Sequence, residues 1–271
     1  LSRAELPTWG SRQSGGALLR ADPGGLVMAS VALGLGLLVA FYSGRYLALD
    51  QRYETYYPLL LLLAVGLVGM VLAADLFNLY MFCELMSVAI YVLVAFRRHT
   101  DTAIEAGFKY LVMGSMGTVI VLMGISFIFR ETGQLDLAQE LPANLGVWRR
   151  IGLACFLVGL GIKCAMVPLH TWLPDAHGRA PSSISALLSG IVIQSAFYVL
   201  LKVSLSLGFP ARELGTVLMV LSLFSMTVGN GLALVQVNGK RLLAYSSIAN
   251  LGYLMLSMGV GLRYDLAVAI Q

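Results

Sequence analysis

Two ionisable residues stand where the surrounding sequence is apolar. Glu84 lies in LFNLYMFCELMSVAIYVLVAF and Lys163 in CFLVGLGIKCAMVPLH. Neither has a counter-charge within a helical turn of its own segment. Charge at such depth is costly, so it faces a cavity or a partner and marks a route for ions or protons. A carboxylate and an ammonium that meet keep each other charged, whereas burial alone favours neutral forms. Water or a moving neighbour can tip that balance, which is the physics of a proton relay. The economical expectation is that Glu84 and Lys163 find each other across a bundle. The alternative is a static ion pair that fixes helix packing.

Other chemistry-bearing residues are less decisive. Lys109 follows Glu105 at i+4, so it is either a helix-surface pair or a member of a polar track. His170, Asp175 and His177 lie in VPLHTWLPDAHGRAP, without the partners that metal, nucleophile or base chemistry would need. Pro168, Pro174 and Pro181 crowd the same connection and imply a broken or capped helix end near Lys163. Broken helices at membrane depth mark ion or substrate sites in transporters. The histidines then read as mouth groups that exchange protons with water, or as loop caps. Asp75, between two apolar runs, is placed to cap the helix that follows. Ser115, Thr118, Ser126, Ser185, Ser189 and Ser195 read as packing or back-bonded residues.

The elements that position these groups follow from composition. Of 271 residues, 58% are hydrophobic and 12% charged, and mean hydropathy is +0.83. A water-soluble core of this size could not bury so much apolar side chain, so a multi-pass membrane protein is the class that fits. A spanning helix needs about 20 apolar residues. Such runs occupy 26–42, 57–74, 78–96, 106–129, 151–169, 182–207, 214–237 and 242–262, and a further run begins at Leu266. They are too long and too uniformly apolar for barrel strands. Residues 1–24 read as a tail or loop. Lys and Arg divide almost evenly between the two sets of loops, so charge assigns no orientation. The net charge of +4 reads as membrane-flanking charge and implies no nucleic acid. Cys83, Cys155 and Cys164 lie inside apolar runs and read as small buried hydrophobes. No nucleotide-binding glycine motif, haem ligand pair or iron–sulfur pattern is present, so neither a cofactor nor a metal is expected.

Four stretches together resemble a known family: DLFNLYMFCELMSVAIYVLVAF, EAGFKYLVMGSMGTVIVLMGISFIFRETGQLDL, GIKCAMVPLHTWLPDAHGRAPSSISALLSG and GKRLLAYSSIANLGYLMLSMGV. They are similar to the antiporter-like membrane subunits of respiratory complex I, which Mrp-type cation/proton antiporters and membrane-bound hydrogenases share. The resemblance covers roughly residues 57–262. It implies an all-α polytopic membrane helix bundle with inverted repeats and a broken helix, of which this chain would be a fragment out of roughly fourteen helices. A first repeat would run over about 57–207, and a second would start within 214–271. Glu84 matches the family's essential glutamate, and Lys163 matches the essential lysine on the broken helix. Two positions depart from the pattern. Gln194 stands where the family commonly has Lys or His, and Asn250, after YSSIA, where it often has His. A glutamine cannot titrate, but it can order a water chain.

The resemblance implies a cell-membrane subunit that moves protons within a redox-driven multisubunit complex, NADH:quinone oxidoreductase-like or hydrogenase-like. Electron transfer would take place in partner subunits. The proton route would use Glu84, Lys163, Gln194, Lys109, His170 and His177. The alternatives are a subunit of an Mrp-type Na⁺/H⁺ antiporter and a non-conducting structural subunit. Expected partners are other membrane subunits, the lipid bilayer, and protons, with Na⁺ as the other ion.

Overall fold

The structure, a computed structural model, describes residues 8–9, 19–47, 53–97, 101–138 and 146–264. Leading strands β1 (Thr8–Trp9) and β2 (Leu19–Arg20) form an antiparallel pair. Within the stretch expected to be loop, 1–24, there is therefore this small ribbon and the start of a helix. The helices that follow are α1 (Pro23–Tyr46), α2 (Tyr53–Leu72), α3 (Leu76–Val94), α4 (Asp101–Thr132), α5 (Val147–Lys163), α6 (Trp172–Arg179), α7 (Ser182–Leu187), α8 (Ile193–Ser206), α9 (Ala211–Leu234) and α10 (Gly239–Tyr264). The run from Leu266 lies outside the described residues.

Among the described residues, seven helical segments are long and apolar enough to cross a membrane. Their outer faces carry bare hydrophobes, with Phe41 75% and Leu38 65% exposed. In water that surface would be untenable; in lipid it is the expected coat. The chain is a multi-pass membrane protein. In lipid the hydrophobic effect cannot drive helices together, so close backbone approach does. A Cβ on Gly159 of α5 would stand 2.6 Å from the Gly117 carbonyl oxygen of α4, and one on Gly215 of α9 would stand 2.6 Å from that of Gly259 on α10.

The helix starts are written in the sequence. Asp22 caps α1, accepting from the Gly25 amide at 3.0 Å, with Pro23 in the first turn. Asp75 caps α3 as expected, accepting from the Asn78 amide at 2.8 Å.

The expected span 151–169 is not one helix. α5 stops at Lys163, and Ala165 takes a left-handed backbone (φ 56°). The Met166 amide then bonds the Gly161 carbonyl at 3.0 Å, and the Ala165 amide bonds that of Ile162 at 3.1 Å. This is a Schellman stop with alanine where glycine is usual. The Trp172 indole N–H closes the break by donating to the Ile162 carbonyl at 2.8 Å, and Ser225 of α9 accepts from the Val167 amide at 3.3 Å. The segment 182–206 is also irregular. A π-helical turn, Leu188–Val192, separates α7 from α8 just before Gln194. Such turns widen the backbone and recur at functional sites.

Candidate functional site

Lys163 ends α5 with its side chain buried at 2% exposure. Its ammonium donates to the Ser87 hydroxyl and, at 3.2 Å, to the Tyr91 hydroxyl, both on α3. Glu84 is half-buried on the same helix, one turn before Ser87. No direct ion pair joins Glu84 to Lys163. The expected meeting of the two therefore takes another form: Lys163 reaches the Glu84 helix, but it rests on neutral oxygens one and two turns further along. Tyr80 and Cys83, on the turn of Glu84, interact electrostatically with both charged groups.

A ring stack ties this site to the broken helix. Tyr91 meets Tyr110 of α4 edge-on at 4.8 Å, and Tyr110 lies flat on Trp172 of α6 at 4.0 Å. Trp172 and His177 are five residues apart, about 140° around the helix, so α6 shows them to different surroundings.

On the other side, His177 is buried and its Nε2 pairs with the Ser189 hydroxyl, which also accepts from Ser247 of α10 at 2.8 Å. Ser189 and Ser247 line two adjoining cavities. One, of about 250 Å³, is also lined by Gln194 and Asn250. The other, of about 340 Å³, shares Asn250 and adds His177, Ser185 and Lys240. The two positions that depart from the family pattern thus face the same space. His170 is half-buried against the Tyr245 ring, at 6.5 Å between centroids.

Lys109 lies apart from both groups, on a charged rim. Its side chain is 49% exposed and bridges Glu105 at 2.8 Å and Asp175 at 3.2 Å, while Arg241 of α10 approaches Asp175 at 3.4 Å. Asp175 therefore links α4, α6 and α10.

Several of these residues do not stand out in the sequence alone. Ser87 and Tyr91 carried a signal, since they stand three and seven residues after Glu84 on one helical face. The Asp22 cluster carried none. There the carboxylate caps α1 and accepts from Tyr198 and, at 2.9 Å, from Lys202, both on α8. Lys202 also donates to the Val71 carbonyl at 2.9 Å. Burial alone would raise the Asp22 carboxyl, but the hydrogen bonds from Tyr198 and Lys202 outweigh it and hold it below its usual range. At the other end of α1, Tyr46 meets Ser182 at 3.4 Å, so α1 runs antiparallel to α7 and α8.

Comparison with known proteins gives the geometry its setting. The chain is 37% identical over 233 residues to the NADH-quinone oxidoreductase subunit N of Desulfitobacterium hafniense, covering 82% of this chain and 46% of that protein. It is 35% identical over 266 residues to the subunit N of Desulforudis audaxviator, covering 94% and 51%. The chain spans about half the length of these relatives. Among solved structures it resembles a chain of the Mrp complex from Dietzia, with TM-score 0.83 and 25% identity over 91% of this chain and 46% of that one. It also resembles a chain of respiratory complex I from Thermus thermophilus, with TM-score 0.76 and 29% identity over 97% and 57%. Residues 73–270 match the family described as NADH:quinone oxidoreductase/Mrp antiporter transmembrane proteins, and the chain belongs to that family.

Proposed function

We propose that this chain forms the proton-conducting part of a membrane subunit in an NADH:quinone oxidoreductase-like complex, with other membrane subunits as partners and electron transfer outside this chain. The observation that carries the reading is the Lys163 ammonium. It is buried at a helix break and hydrogen-bonded to the helix that bears Glu84. A lysine in that position can hold a proton and hand it on when its surroundings rearrange. Glu84 supplies the carboxylate one turn away. His170 would exchange protons with water, the buried His177 would order the cavity through Ser189, and the Gln194–Asn250 cavity would carry protons along a water chain. Lys109 would act at the charged rim, on the electrostatics of the entrance. In a bacterium the complex would sit in the inner membrane.

Structural likeness supports both readings, with TM-score 0.83 to the Mrp chain and 0.76 to the complex I chain, and the redox-complex reading has the higher sequence identity, to the subunit N proteins. We favour the second. The test uses the full-length subunit in its assembled complex, in sealed vesicles. Lys163→Met should abolish NADH-driven proton pumping while the complex assembles. Lys163→Arg should keep part of it, because arginine retains the charge but hardly releases its proton. Wild-type pumping by the methionine variant would sink the proposal. Sodium-coupled proton exchange without any redox driver would move the chain to the antiporter reading.

A further inference from the structure

We infer that Ser87 and Tyr91 are positioning residues for Lys163: together they form a neutral seat on α3 that holds its ammonium one to two turns away from Glu84. The inference deepens the proposed role of Lys163 and rests on it. Ser87 commits its own proton to the Cys83 carbonyl at 2.6 Å. Its oxygen is therefore left as an acceptor, and an ammonium with three N–H donors is the partner that fits. Tyr91 offers a second oxygen at 3.2 Å, and its ring lies 5.7 Å from the Lys163 nitrogen, within cation–π range.

The seat is built from more than one helix. Tyr91 fits because Gly114 on α4 has no side chain. A Cβ there would stand 2.0 Å from the Tyr91 hydroxyl oxygen. Tyr110 holds the Tyr91 ring edge-on, Trp172 covers Tyr110, and the Trp172 indole grips the Ile162 carbonyl next to Lys163. A shift of α6 is thereby passed to Tyr91 through two ring contacts. The titratable groups around the ammonium are Tyr80, Cys83, Glu84 and Tyr91 from α3, with Tyr110 behind them on α4. Helix α6 contributes the neutral Trp172. α3 therefore offers Lys163 two addresses, the carboxylate at 84 and the hydroxyls at 87 and 91. Ser87 and Tyr91 determine how long it stays at the second.

The experiment measures NADH-driven pumping per assembled complex against pH in vesicles carrying the full-length subunit. Tyr91→Phe keeps the ring and removes the hydroxyl. It should assemble normally, lower pumping roughly ten- to 150-fold, the range for losing one hydrogen bond to a charged group, and displace the pH profile. Gly114→Ala should reproduce the displacement by pushing the hydroxyl aside. Ser87→Ala should behave likewise, and Ser87→Thr, which keeps an oxygen acceptor, should restore pumping. The proposal is overturned if Tyr91→Phe and Ser87→Ala pump like the parent with unchanged pH profiles while Lys163→Met is inactive. It is also overturned if they lower assembly yield but leave the per-complex profile where it was. Normal pumping by Lys163→Met would instead overturn the proton-carrier reading beneath it.

Discussion

Gln194 gives the sharpest test of whether the groove between α8 and α10 conducts. It is exposed on a cavity of about 250 Å³ shared with Ser189, Ser247 and Asn250. That volume has room for a chain of several waters. The glutamine amide can donate to one neighbour and accept from another, so it can bridge such a chain without titrating. Gln194→Leu keeps the side-chain size and removes both functions. Losing two hydrogen bonds at about 0.5–1.5 kcal/mol each raises the barrier by about 1–3 kcal/mol, or roughly five- to 150-fold in rate. Gln194→Lys should be tolerated if the cavity is wet, because the ammonium would then be solvated. If the segment is dry scaffold, leucine is harmless and lysine brings a buried charge costing about 3 kcal/mol. The assay is proton pumping together with assembled-complex yield for both variants. A leucine variant that pumps normally, beside a lysine variant that fails to assemble, would refute the conducting groove.

Three further outcomes are expected. Ala165 holds a left-handed backbone at the helix stop, so Ala165→Gly should be neutral or stabilising by up to about 1 kcal/mol. Ala165→Val, β-branched in a fully buried left-handed site, should cost about 2 kcal/mol or more in thermal unfolding of the purified subunit. Gly159→Ala puts a methyl 2.6 Å from the Gly117 carbonyl. It should force α4 and α5 apart at about 1–3 kcal/mol, visible as a lower melting temperature, and an unchanged one would contradict the packing. The Asp22 carboxyl lies below its ordinary value of 3.8 in the folded state. Its contribution is therefore present above that value and is lost as pH falls through the lower, folded-state one. The Asp22→Asn variant should lack this acid-sensitive component when thermal stability is followed against pH.

The sequence by itself determined the class of the protein. Hydropathy is summed locally, so long apolar runs announce spanning helices wherever they pack. It also located the costly residues, because Glu84 and Lys163 stand out against any apolar background. The proline-rich VPLHTWLPDAHGRAP announced a break near Lys163, since proline limits what the backbone can do. It could not show that α5 stops at Lys163 itself, because an alanine in a left-handed conformation leaves no mark in composition. Partner choice belonged to the tertiary structure. Lys163 rests on Ser87 and Tyr91 rather than on Glu84, because the packing of α4 against both α3 and α5 and the missing side chain of Gly114 decide which turn of α3 the ammonium reaches. Asp22 and Lys202 are 180 residues apart, and no local pattern links them. Gln194 and Asn250 look like separate departures in the sequence. They face one cavity because α10, packed on α6, lies across an open groove from the start of α8, and helix packing is set by contacts that no single helix contains.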